Sequence, residues 1–111
     1  MGVAQAPKGA VVKLGILVNS AKHLQHVVGM TRAAVAGGRE VIVFAMDEGT
    51  RLLEDEAFTS LANLAGVTMS VCEHSAKVHG VAADRLPPQI RCGSQLNNAM
   101  MAREADRIVV L

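Results

Sequence analysis

The chain has 111 residues, a formal net charge of +1, and only 19% charged residues against 50% apolar ones. That length supports one domain burying roughly two-thirds of its unfolded surface, and that composition excludes intrinsic disorder. With no Trp, no Tyr, two Phe and no Lys/Arg cluster, the chain lacks the basic stripe and stacking aromatics of a nucleic-acid binder.

Residues 1–11 lack the basic start and apolar block of a secretion signal. Ala6 stands where N-myristoylation needs Ser or Thr. The segment reads as a flexible tail, leaving residues 12–111 as the domain. No apolar run approaches the roughly 20 residues of a membrane span. The expectation is a cytoplasmic protein with no membrane partner, whose two cysteines are reduced thiols.

Lys13–Ser20 carries a continuous apolar run, which suits a strand buried on both faces, and Ser20 is placed to cap the next helix. Leu24, Val27, Val28, Thr31, Ala34 and Val35 form a helical stripe that stops at Gly37-Gly38. Val41–Met46 is a second strand and Asp47-Glu48-Gly49 its turn. Thr50 would cap a second helix burying Leu53, Ala57, Phe58, Leu61 and Leu64 and ending at Gly66. Val67–Cys72 is a third strand, and Glu73–His79 one or two helical turns closed by Gly80.

Pro87-Pro88 forbids helix, and Gln89–Arg91 is a short strand at best. Ser94 would cap a last helix with Leu96, Ala99 and Met100 toward the core, and Ile108–Leu111 is a terminal strand. This alternation predicts an α/β fold of right-handed βαβ units: a mainly parallel sheet of about five strands covered by helices on both faces. Strand order is not readable.

Ligands in such sheets collect at the carboxyl ends of the strands. The residues there are Asn19 and Ser20, Asp47 and Glu48, Cys72 through Ser75, and Cys92 through Ser94. Cys72 stands out, because unsatisfied N–H groups at a helix start favour the thiolate, the nucleophilic form. His74 would add positive charge, and Glu73 would oppose it. A buried packing cysteine is the competing reading. Cys92 could resolve an oxidised or persulfidated Cys72 if their loops meet; otherwise it is an unrelated loop cysteine.

Cys72, His74, His79 and Cys92 do not follow a regular zinc spacing, and His23/His26 is a weak pair, so no metal is expected. No glycine-rich nucleotide fingerprint is present, and no cofactor is expected.

The runs VIVFAMDEGTRLL, VTMSVCEHSAKVHGV and GSQLNNAMMAREADRIVVL resemble the DsrE/DsrF-like family of small sulfur-relay proteins. The likeness covers residues 12–111. Its specific points are Asp47-x-Gly49, Cys72-x-x-Ser75 with Gly80 beyond it, and Ala105-Asp106-Arg107 before the last strand. The resemblance implies a three-layer α/β/α fold and homo-oligomers, commonly trimers or hexamers. It also implies that Cys72 receives sulfane sulfur from a donor protein as a persulfide and passes it to an acceptor, with Ser75 and nearby N–H groups supporting the anion. Two other readings stand beside this sulfur-carrier one: a non-catalytic subunit binding a small ligand or partner in the same cleft, and a Cys72/Cys92 thiol–disulfide protein.

Overall fold

A computed structural model describes residues 11–111; the expected tail, apart from Val11, lies outside them. The elements follow in chain order as β1 (Lys13–Val18), α1 (Leu24–Ala36), β2 (Glu40–Ala45), α2 (Glu56–Thr59), β3 (Val67–Cys72), α3 (Glu73–Val78), β4 (Ile90–Gly93), α4 (Gln95–Glu104) and β5 (Arg107–Val110). The five strands form one parallel sheet in the order β4-β3-β2-β1-β5, with helices on both faces. This is the three-layer α/β/α arrangement.

The order explains which helix lies where. From β1 to β4 each strand adds on the same side of the last, and right-handed crossovers put all their connections on one face. The step from β4 back to β5 runs the other way, so α4 crosses the opposite face. The core divides accordingly. Ile16, Val18, Val41, Val43, Met69 and Val71 pack against α1, α2 and α3 through Val27, Phe58 and Ala76. On the other side, Phe44 and Cys72 pack against Met101 of α4.

Three local expectations are corrected. α1 begins after His23, which makes no side-chain cap, and Ser20 only accepts a 3.4 Å hydrogen bond from Lys22 N–H. The second predicted helix is broken into a 3-10 stretch, Asp47–Glu54, then α2 capped by Asp55, then a further 3-10 turn, Ser60–Asn63. Thr50 is buried and its hydroxyl donates to the Asp47 carbonyl instead of capping. Leu53, Phe58 and Leu61 are nonetheless buried as expected.

The third correction concerns α4, which faces the other way from its predicted stripe. Met101 is 1% exposed, while Leu96 is 67% and Met100 49% exposed. Ser94 does cap it, accepting from Leu96 N–H, and Asn97 Oδ1 accepts from Ser94 N–H at 3.0 Å in return.

Two of the resemblance's motifs have structural work. Asp106 Oδ2 accepts from Lys13 N–H at 2.7 Å while Asp106 N–H donates to the Lys13 carbonyl, clasping the start of β5 to β1. A Cβ on Gly49 would collide with the carbonyl of Val18, so the 3-10 stretch can lie against the end of β1 only with glycine there.

Candidate functional site

β3 and β4 are neighbours whose following helices leave to opposite faces, α3 to one and α4 to the other. Between such a pair a crevice opens at the carboxyl ends of the strands. Here it is a cleft of about 820 Å³, with Cys72 in its wall.

Cys72 is the last residue of β3 and stands just before the first turn of α3. The residue is only 4% exposed, so the thiol is reached through the cleft and not from open solvent. Its backbone is extended, and α3 of six residues is too short for much of a macrodipole. The electrostatics are therefore local.

Burial is the largest single influence on the thiol and pushes its pKa up, but donors outweigh it and the net shift is downward. They are, in order, the Ser75 hydroxyl, the Ser75 N–H, the Gln95 side-chain amide and the His74 N–H. These are not close hydrogen bonds to the neutral thiol; they act on the thiolate, since bonds to a charged acceptor are roughly twice as strong as neutral ones. Neither a positive charge on His74 nor the carboxylate of Glu73 is among the causes, so dipoles do what the sequence assigned to charge.

Of the residues singled out from sequence, Ser75 and His74 line the cleft with Cys72. Asn19 and Ser20 do not: they follow β1, one strand beyond β2 from Cys72's strand, and Asn19 N–H is spent on the Leu111 carbonyl beside β5. Cys92 is not brought to Cys72 either. In the parallel register Val71 pairs with Cys92 and Cys72 with Gly93, and paired residues share a face. The two thiols therefore point to opposite faces, Cys92 toward the Ala83 carbonyl at 3.7 Å. Both cysteines are free. His23 and His26 meet edge to face, 5.7 Å apart. Among the described residues, no three His, Cys, Asp or Glu side chains converge as a metal site.

Gln95 is a cleft residue that the sequence alone does not single out. It is the first residue of α4, one position past the Ser94 cap, and the cap fixes its placement over the cleft. Its Nε2 also donates to Met46 Sδ at 3.7 Å, so one amide lies between the thioether and the thiol. A Cβ on Gly93 would strike the Asn97 amide, so glycine lets the capped turn close beside Cys72.

Asp47, Glu73, Lys77 and Ser94 complete the polar lining. Asp47 has φ of 48°, the left-handed region, which costs an L-residue roughly 1–2 kcal/mol and is tolerated best by Asn and Asp. Such strain clusters at functional sites.

Fold and site together define an α/β protein with one cysteine in the wall of a strand-end crevice. The fold matches that of MTH1491 from Methanobacterium thermoautotrophicum, described as a protein of unknown function, with TM-score 0.74, 14% identity, and coverage of 90% of this chain and 99% of that one. It also matches the ychN protein from E. coli, with TM-score 0.65, 10% identity, and coverage of 92% and 100%. At these identities the likeness is one of fold. No family model and no curated protein matches the chain by sequence. Among the described residues, no helix is long and apolar enough to cross a membrane.

Proposed function

We propose that this protein is a sulfur carrier of the DsrE/DsrF-like type, holding sulfane sulfur as a persulfide on Cys72. One observation carries the reading: the one cysteine lining the cleft is shielded from bulk solvent, yet donors from two elements, α3 and α4, lower its pKa. The shared fold of MTH1491 and the ychN protein is consistent with it and adds no activity.

The chemistry is thiol exchange. The Cys72 thiolate attacks the outer sulfur of a donor persulfide; a new S–S bond forms, the donor's S–S bond breaks, and the donor thiolate leaves and takes up a proton. No net oxidation occurs. An acceptor thiolate then attacks the same outer sulfur and expels Cys72 as thiolate, a step that a lowered thiol pKa favours. Ser75, Gln95 and the His74 N–H solvate the anion in both states.

The test is intact-mass spectrometry after incubation with a persulfide donor. Wild type gains about 32 Da, one sulfur atom, removable by reductant, and Cys72→Ala does not. Cys92→Ser loads like wild type. A folded, reduced wild type that gains nothing moves the assignment to a ligand- or partner-binding subunit, for which the cleft has room.

Homo-oligomerisation, as a trimer or hexamer, is part of the same reading. It is supported by the outward apolar side of α4 and by exposed Ile108 and Val110 on edge strand β5. Light scattering at micromolar concentration should give a multiple of the 11.6 kDa chain mass; a monomer refutes this part alone.

A further inference from the structure

Cys72 and Gly93 are partners in the β3–β4 register, and partners share a face of the sheet. On that face the Asn97 amide lies directly over Gly93, in the space that a Cβ on residue 93 would fill. Neighbouring strands are about 4.8 Å apart. The amide therefore stands roughly one strand spacing from Cys72, half-buried and outside the cleft lining.

A cap holds Asn97 there. Its Oδ1 accepts from Ser94 N–H at 3.0 Å, while Ser94 Oγ accepts from Leu96 N–H at 3.2 Å. These two bonds bracket Gln95, whose amide donates to Met46 Sδ at 3.7 Å and stands beside the Cys72 sulfur. In a reciprocal cap the third helical residue is ordinarily Glu or Gln. A carboxylate accepts more strongly than an amide and gains from the positive end of the helix. Asn97 forgoes both. A half-buried carboxylate there would also face Cys72 across Gly93, where salt screens it poorly, and a like charge opposes the thiolate. The titratable groups already around the cleft, Asp47, Glu73, His74 and Lys77, are exposed side chains. Arg91 and Glu104, also exposed, border Asn97 in a neighbouring groove.

We propose that Asn97 is a positioning residue for Cys72: its neutral amide closes the turn that carries Gln95 and keeps negative charge away from the sulfur. This role rests on Cys72 being the reacting thiol of the proposed relay, whatever donor it meets.

The test is a pH titration of the Cys72 thiolate by its ultraviolet absorbance, in the full-length Cys92→Ser protein, beside urea unfolding of each variant. The chain has no Tyr or Trp to obscure that signal. Asn97→Asp keeps the acceptor and the shape and adds one charge. It should leave the urea midpoint equal or raised, yet move the Cys72 midpoint up by roughly half a pH unit or more. A purely structural role would leave both unmoved. Adding Arg91→Gln, which removes a cation bordering residue 97, should enlarge the shift. Asn97→Ala releases the turn, so it should raise the Cys72 midpoint and lower the urea midpoint. Should Asn97→Asp lose its fold, Asn97→Gln and Asn97→Glu make the same comparison, differing only in charge. An unchanged Cys72 midpoint in folded Asn97→Ala, or in folded Asn97→Asp/Arg91→Gln, overturns the proposal. No persulfide enters this titration, so failed sulfur loading and failed positioning by Asn97 are separate results.

Discussion

Cys72 and Cys92 sit on adjacent parallel strands, offset by a single position of register, and that offset separates their chemistry. Cys72 faces α4, inside the crevice, with Ser75, Gln95 and the His74 N–H around its sulfur. Cys92, opposite Val71, is turned to the other face, exposed, with one carbonyl contact. The different surroundings of the two thiols come from the strand end and the two helix starts that converge on Cys72, not from the residue type. A one-residue slip of β4 would exchange the faces of its side chains.

The largest expected effect inverts the order in which the two thiols react. A bulky maleimide should label exposed Cys92 first, because Cys72 is reached only through the cleft. Small iodoacetamide, at a pH below the ordinary cysteine pKa, should instead label Cys72 first, since the thiolate is the nucleophile. Peptide mapping after brief labelling checks this; Cys72 inert to the small reagent in folded protein would break the comparison.

The sign of the accompanying pH effect follows from the lowered pKa. A depressed acid contributes stability that is fully present above its unfolded pKa and is lost as pH falls through its folded value. The thiolate's contribution should therefore shrink on acidification below the ordinary cysteine range, and alkylation of Cys72 should fall over the same interval.

Gln95→Ala should slow Cys72 alkylation at neutral pH by about tenfold, the factor for one lost charge-assisted hydrogen bond of roughly 1.5 kcal/mol. It should leave Cys92 labelling unchanged. Stopped kinetics with mapping of both sites reads the pair. Equal slowing of the two would mean a general structural effect and not a local donor.

The smallest effect is on the residue paired with Cys72. Gly93→Ala pushes a methyl group against Asn97 and loosens the α4 cap, which should cost about 1 kcal/mol in urea unfolding. It should slow Cys72 labelling less than Gln95→Ala does. An unchanged midpoint would show that the cap relaxes without cost.

The sheet was legible because its strands are short apolar runs between glycines and polar turns; Val67–Cys72 needed no adjustment. Ser94 was legible as a cap for the same local reason. The second helix was not, because the close approach of Gly49 to Val18 is a tertiary constraint that splits a pattern otherwise helical. In α4 the Met100-Met101 doublet left the buried position undecided, and Asn97 turning inward as a cap rotated Leu96 and Met100 outward. Asn19 and Ser20 were grouped with Cys72 because every strand end looks alike until strand order is known. Order and crossover hand then single out the β3/β4 end. Gln95 lay one residue beyond the Cys92–Ser94 segment identified at a strand end, and its role depends on which strand its helix crosses.

The clasp between Asp106 and Lys13 has a consequence in time. The hydrogen bond joins residues 93 apart, and it seats β5 beside β1. Until residues 107–110 leave the ribosome, β1 presents a row of unpaired N–H and C=O groups at the edge of a four-stranded sheet, the kind of edge that recruits other chains. The growing chain therefore stays open to mispairing at β1 until β5 arrives, and the Asp106 clasp helps to close that window.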